Sequence, residues 1–387
     1  MLELYSKLDE AITRDIVRRL VKTGGVSATA DWQIQRLQES GLLLDDIIRR
    51  VAQLTDASDQ QVKALFEDAG IQAVKIDTEI YRAAGLSPPP LRQSLAAMQV
   101  LQAGMQKTAG HLRNLSMTTA VATQQAYINA VTLAEMQVES GAFDGVTAVR
   151  NAVRSAAESG AEVIYPTGHR NKIDVAVRRA TLTGVNQTAA QISERYADDM
   201  GCDLVETTAH TGARPSHQAW QGKVFSRSGK HSKYPGFVSG TGYGTGAGLC
   251  GWNCSHSFFP FFEGVSSAAY PREKLQEYEQ KTVQYNGQTI KYYDATQMQR
   301  AMERQIRATK RELAGYDSGI KATDSEALRN ALNEQFQATS VKLQQERRQL
   351  DSFLDQTGLY RQGDREQVLG FGRSQAQKAV WAAKKSS

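Results

Sequence analysis

Long apolar runs are missing from this chain of 387 residues. No stretch of about 18 apolar residues occurs, so nothing reads as a membrane span. The longest aromatic cluster, Phe258-Phe259-Pro260-Phe261-Phe262, is short and interrupted by Pro260. Aromatic residues make up only 7% of the chain, while Ala, Gln, Arg and Glu are plentiful, a balance that favours helices. Three cysteines are too few for a disulfide framework in a chain of this length and leave metal binding or inert buried thiols. A strong charge of one sign is also lacking. The net charge of +5 permits nucleic-acid contact without arguing for it, because Lys/Arg and Asp/Glu alternate through most of the helical sequence. The start, Met1-Leu2-Glu3-Leu4-Tyr5-Ser6-Lys7, carries charges where a signal peptide has an apolar core, so the product is expected to stay in the cytoplasm where it is made.

What is present reads as a mainly α protein with a small central α+β domain. Residues 1–87 predict an N-terminal helical bundle of four short helices. Ile12, Ile16, Val17 and Leu20 repeat at helical spacing and end at Gly24-Gly25; Trp32, Ile34 and Leu37 open a second helix, closed near Gly41. Leu44, Ile47, Ile48, Val51 and Leu54 give a third. Ser58 with Gln61 suggests a capping box for a fourth, with Val62, Leu65 and Phe66 inside. Residues 88–160 are a linker and polar helices: Ser87-Pro88-Pro89-Pro90 is extended, and 91–139 keeps helical periodicity with almost no charge. That composition suits packing against other chains or within one bundle.

Residues 161–268 form the motif domain. It has a long helix within Arg170–Arg195, a strand at Cys202–Thr208 and a Gly- and Ser-rich stretch from Ser226 to Gly248, long enough to be a functional or binding loop. Residues 269–387 return to helix after a hairpin whose turn is Asn286-Gly287. Two charged helices follow, Gln297–Glu312 and Asp324–Asp355, then a basic tail from Arg361 with six Lys/Arg against two Asp/Glu.

Two blocks of the motif domain concentrate the chemistry. His210-Thr-Gly-Ala-Arg214-Pro-Ser-His217-Gln-Ala-Trp220-Gln-Gly222-Lys-Val-Phe225 is answered by Tyr243-Gly-Thr-Gly-Ala-Gly-Leu-Cys250-Gly-Trp252-Asn253-Cys254-Ser-His256. Together they hold three of the six histidines, two of the three cysteines and two of the four tryptophans. Cys250, Cys254 and His256, with His217 or His210, are metal-ligand types at short spacing, and zinc takes four such ligands. In the other reading Arg214, His217, Trp220, Asn253 and His256 hold the long loop against the strand through buried hydrogen bonds. Gly240, Gly242, Gly244, Gly246 and Gly248 alternate, but no helix follows and no Lys-Ser/Thr ends the run. This is neither a P-loop nor a dinucleotide fingerprint; it is a mobile or closely packed loop. A thiol hydrolase of the papain kind would need a histidine downstream, and none follows His256. His217, Asn253 and His256 also lack the order of a histidine–asparagine–histidine nuclease finger.

These two blocks resemble the signature of the phage minor capsid protein 2 family, a relative of the Mu-type head morphogenesis proteins. It has the same elements in the same order, with His210, Arg214, His217, Trp220, Gly222, Tyr243, Trp252 and Asn253 as its structural residues in this chain. The run from Ile173 through Asn186 and the charged segment Tyr293–Glu312 are also similar, so the resemblance is good over about 165–315. It implies a minor structural protein of a tailed-phage head, located in the virion capsid and made in the host cytoplasm. It further implies a place at the portal vertex, with portal protein or major capsid protein as partners, and roles in head assembly and in packaging or ejecting DNA. The basic tail admits a non-specific DNA contact. No catalytic residue and no certain cofactor follow, with zinc the one candidate. The competing reading is a packaged or injected effector, a hydrolase or nuclease, whose Cys/His centre does the chemistry.

Overall fold

The computed structural model of the protein describes residues 2–22 and 30–385. The described chain is predominantly helical. Its elements run α1 (Leu2–Lys22), α2 (Ala30–Ala83), α3 (Leu95–Glu139) and α4 (Gly145–Ser159), then the hairpin β1 (Glu162–Ile164) and β2 (Arg170–Lys172). Next come α5 (Ile173–Asp199), β3 (Leu204–Thr207), the one-turn helix α6 (Pro215–Gln218), β4 (Val224–Ser226), the short α7 (Phe237–Thr241) and β5 (Phe258–Pro260). The chain closes with α8 (Arg272–Gln280), the hairpin β6 (Thr282–Tyr285) and β7 (Gln288–Lys291), then α9 (Tyr292–Ala322), α10 (Glu326–Thr357) and α11 (Arg373–Lys385). The mainly α class with small sheets is thus observed.

The four short helices expected in the first 87 residues are corrected to two long ones. Residues 30–83 form a single helix of 54 residues. Gly41 does not stop it: nothing lies within 4 Å of where its Cβ would be, and a lone glycine costs a helix only about 1 kcal/mol relative to alanine. The polar stretch around Ser58 does not cap a new helix either. Thr55 Oγ1 donates to the Val51 carbonyl at 2.9 Å, so the hydroxyl bonds back one turn instead of competing with the ladder. The expected stop at Gly24-Gly25 lies outside the described residues.

The chain divides into two compact units, each assembled from non-contiguous stretches: residues 1–56, 113–177 and 297–387 in one, and 57–112 and 178–296 in the other. In the first unit α1 packs on α4, and α10 packs on α4 and α11. Ile12, Ile16 and Val17 of α1 are buried with Leu43, Tyr127, Val153, Leu313, Phe336 and Phe353. α4 starts at an Asp144 cap, whose side chain accepts from Thr147 N, and ends at Gly160 in the left-handed region. Asp9 of α1 accepts from the Ala161 amide at 2.7 Å and pairs with Arg311 of α9 at 3.3 Å. The N-terminal helix is therefore built into the core of this unit, not a module set apart from it.

The basic residues of this unit are largely committed inside it. Arg307 and Arg311 face Asp174 at 3.7 and 3.5 Å, and Lys310 donates to the Glu366 carbonyl at 2.7 Å. In the tail, Arg361 pairs with Glu366 at 2.7 Å, Arg365 with Glu303 at 3.7 Å, and Lys378 with Asp317 at 2.8 Å. Ala379, Ala382 and Ala383 of α11 are buried. The tail is a docked helix.

In the second unit β3 is the centre of a three-stranded antiparallel sheet of order β4-β3-β5. All four β3 residues are buried. Glu206 accepts from the Ala269 amide at 2.9 Å, which satisfies an otherwise costly carboxylate. The proline segment is not a free spacer: Pro88 is buried, and Tyr196 of α5 donates to the Pro89 carbonyl at 2.8 Å. The Asn286-Gly287 turn closes β6 on β7 with both residues at positive φ, as a two-residue hairpin requires.

Candidate functional site

The two motif blocks meet on the three-stranded sheet. α6 begins with Pro215 at its first position, where a missing N–H costs nothing, and this turn carries His217 into the interior. Trp220, Phe225, Phe237, Leu249, Cys250 and Phe258 are buried in one cluster around β3, with Tyr243 and Cys254 packed against it. Phe237 and Phe258 meet edge to face at 4.9 Å, which closes the apolar side of the cluster.

Against this apolar wall three potential ligand atoms converge. Cys254 Sγ is 3.6 Å from His256 Nδ1 and 3.9 Å from His217 Nδ1. One ligand atom from each of the three residues lies within 4.8 Å of the other two. His217 is 2% exposed and His256 1%. His217 Nε2 donates to the Ala247 carbonyl at 3.0 Å, and His256 Nε2 donates to Gln221 Oε1 at 3.1 Å. The Gln221 oxygen also accepts from the His210 amide at 3.2 Å, so two donors fix which end of that amide faces inward. Both imidazoles thus have the Nε2–H tautomer, with Nδ1 turned to the thiol.

Burial governs the electrostatics here. It pushes His256 down to about 3, helped by His210 and His217, and lowers His217 as well. Both rings are therefore neutral at ordinary pH. Burial likewise raises the thiols of Cys250 and Cys254.

The expected ligand set is not brought together as a whole. Cys250 turns away: its Sγ donates to the His256 carbonyl at 3.5 Å, from a backbone at φ 58°. His210 stacks on His256 with ring centroids 4.3 Å apart, its Nδ1 3.0 Å from the Thr211 carbonyl. Arg214 reaches the Trp252 carbonyl at 3.4 Å. Trp252 itself is exposed, and Asn253 is exposed with φ 54°, a conformation asparagine tolerates. Asn253 therefore contributes backbone shape instead of the buried hydrogen bond expected of it. Tyr243 donates to Glu194 of α5 at 2.8 Å, and Gly222 sits at φ 64° where a Cβ would fall 2.6 Å from Leu275.

Close packing accounts for Gly248 of the alternating glycines and for Gly251 beyond them, while Gly244, at φ 88°, has open space around it. A Cβ at Gly248 would collide with the Gly242 backbone, and one at Gly251 would lie 2.5 Å from the Gly246 carbonyl. This segment folds onto itself with backbone against backbone.

The family model described as phage minor capsid protein 2 matches residues 1–355. The chain belongs to that family. The similarity thus reaches well beyond the 165–315 core, through the N-terminal helices that resembled the family in helical character alone. A structural protein of Lactococcus phage LL-H is 25% identical over 298 residues, covering 72% of this chain and 76% of the relative. A structural protein of Lactococcus phage mv4 is 37% identical over 101 residues, covering 25% of this chain and 72% of the relative. No solved structure matches. As a member of the minor capsid family, the chain is a structural protein of the phage virion, and among its described residues no helix is long and apolar enough to cross a membrane.

Two residues of this family member that hold the site are not evident as site residues in the sequence. Asn186 of α5 donates to the carbonyls of Cys254 and His256 at 3.1 and 3.2 Å, clamping the loop that carries both. Gln221 sets the tautomer of His256. Neither is a ligand or nucleophile type. Their signal in the sequence is position alone: Gln221 lies inside the first motif block and Asn186 closes the similar run from Ile173.

Proposed function

We propose that the chain acts at the portal vertex of the phage head, joining portal or capsid subunits during head assembly through an uncharged face of α3. The observation that carries this reading lies in the first unit. Residues 114–134 contain no Asp, Glu, Lys or Arg. One side of that helix buries Ala120, Thr123, Tyr127, Ala130 and Ala134, while Met117, Val121, Leu133 and Met136 remain exposed at i,i+4 and i,i+3 steps on the other. An exposed apolar row without charge is the composition of a protein–protein contact. The portal as the location rests on the resemblance to head morphogenesis proteins.

A structural role is favoured over a catalytic one. His217 and His256 are both buried, which argues against a role for their rings in contacting a substrate. The experiment is incorporation of the full-length Val121→Asp, Met136→Asp protein into particles, quantified in purified virions by mass spectrometry. Val121 and Met136 are 60% and 61% exposed, so the substitutions should change folding stability by no more than about 0.5 kcal/mol each. The protein is expected to fold and to be depleted from virions at least tenfold. Normal incorporation would overturn the reading.

DNA handling at the vertex draws on only part of the expected basic elements. Arg307, Lys310, Arg311, Arg361, Arg365 and Lys378 already face internal carboxylates or carbonyls. A random duplex should therefore bind with a shallow salt dependence, below about 2 log units per tenfold rise in salt, since each neutralised phosphate contributes about 0.9. A slope of about 4 or steeper in a titration from low to physiological salt would show a phosphate-binding surface after all.

A further inference from the structure

We propose that His217, Cys254 and His256 hold a zinc ion, through Nδ1 of each imidazole and Sγ of the cysteine, and that Cys250 is not a ligand. The distances fit. With zinc–nitrogen near 2.0 Å and zinc–sulfur near 2.3 Å, a tetrahedral ion separates its nitrogen and sulfur ligands by about 3.5 Å. The two sulfur–nitrogen separations here are 3.6 and 3.9 Å. Small side-chain rotations bring both to that value.

Hydrogen-bond counting makes the same point independently. Each imidazole has already committed its single proton at Nε2, one to the Ala247 carbonyl and one to Gln221. That leaves two bare Nδ1 lone pairs, both on buried rings, facing one part-buried thiol. The thiol carries one proton and can serve one nitrogen, so without a cation an acceptor is left unsatisfied. A cation accepts all three lone pairs at once. The Nε2–H bonds to oxygen acceptors are also the outer contacts that orient metal-binding histidines. Two imidazoles and a thiolate are a borderline-soft set that suits zinc better than calcium or magnesium.

Binding is balanced simply. The Cys254 thiol releases its proton to solvent and the imidazoles bind as neutral ligands. The ion links α6 to the 250–256 segment, 37 residues apart for the His217–Cys254 pair. It therefore acts as a cross-link for a loop-rich region with a short sheet. Cys250 supports from behind, its S–H on the His256 carbonyl at 3.5 Å.

The test uses the full chain, purified without added metal and then incubated with zinc and desalted. Elemental analysis should find one zinc per chain, retained in Cys250→Ser and reduced tenfold or more in Cys254→Ser and His256→Gln. Cobalt(II) loaded into the unsubstituted protein should show the intense visible bands of a tetrahedral site with a sulfur-to-metal charge-transfer band. That spectrum keeps the test independent of whether the variants fold. Failure of the unsubstituted protein to retain zinc or develop the cobalt spectrum would overturn the proposal. So would loss of zinc from Cys250→Ser as complete as from Cys254→Ser, or full retention in Cys254→Ser.

Discussion

Replacement of Asp9 by alanine is expected to destabilise the first unit by about 3–5 kcal/mol, the range for breaking a buried ion pair from one side. Asp9 is 7% exposed and serves two groups that have little else. One oxygen accepts from the Ala161 amide at 2.7 Å, at the turn where α4 gives way to β1. The other faces Arg311 Nε at 3.3 Å. Without Asp9, Arg311 would be left with Asp174, at 3.5 Å and also facing Arg307 at 3.7 Å, and the Ala161 amide would lose its partner. The attraction among these groups matters less than the cost of leaving a buried amide without its acceptor and a buried guanidinium with only part of its charge matched. Because whole proteins are stable by only about 5–15 kcal/mol, the loss should be visible as a large shift of the denaturant midpoint. A change below about 1 kcal/mol would show that water already reaches this cluster. The same anchoring predicts that removing the first 90 residues disrupts both units, since Phe66 and Tyr81 are also buried in the second.

The second large effect is a pH dependence from Asp77. This carboxyl on α2 is 3% exposed; burial pushes it up to about 7, only partly offset by a hydrogen bond with Ser193. Its Oδ2 is buried without a hydrogen-bond partner. The folded state therefore keeps a proton that the unfolded chain releases near the ordinary aspartate value of about 3.9. Between those two values the folded state binds more protons, so stability falls as pH rises from about 4 to about 7 and levels off above that. At about 1.4 kcal/mol for each pH unit the full swing is on the order of 4 kcal/mol. Asp77→Asn, which keeps the shape without the charge, should be near neutral at pH 5 and stabilising by about 2–4 kcal/mol at pH 8. Denaturant unfolding at the two pH values checks this. Equal effects at both would mean that Asp77 is ionised throughout in the folded protein.

Much of the fold is legible in residue order because it depends on local chemistry. The short β-branched stretch at 204–207 and the Asn286-Gly287 turn specify β3 and the β6–β7 hairpin at the expected places. The helices expected within 170–195 and over 324–355 likewise appear as α5 and α10, while the charged helix expected over 297–312 extends in both directions to become α9. The signature blocks also identify the family. The subdivision of α2 was not legible in the same way. Gly41 and Ser58 carry the local marks of a helix end, and only the continuous burial of Leu43, Ile47, Val51, Val62 and Phe66 along one face outweighs them.

Charge and ligand assignment belong to the tertiary structure alone. Composition shows a basic tail and a charged α9; it does not show that Arg361 meets Glu366 or that Arg311 meets Asp9, 302 residues away. Cys250 and Cys254 look equivalent in the sequence, four positions apart among glycines. The left-handed backbone at Cys250 turns its thiol to a carbonyl, while Cys254 faces two imidazoles delivered by α6 and by the approach to β5. The sequence by itself determined the residue types and the local conformations they prefer. Which of those residues meet was decided by long-range packing around β3, because convergence in space depends on burial shared among distant segments and leaves no periodicity in the chain.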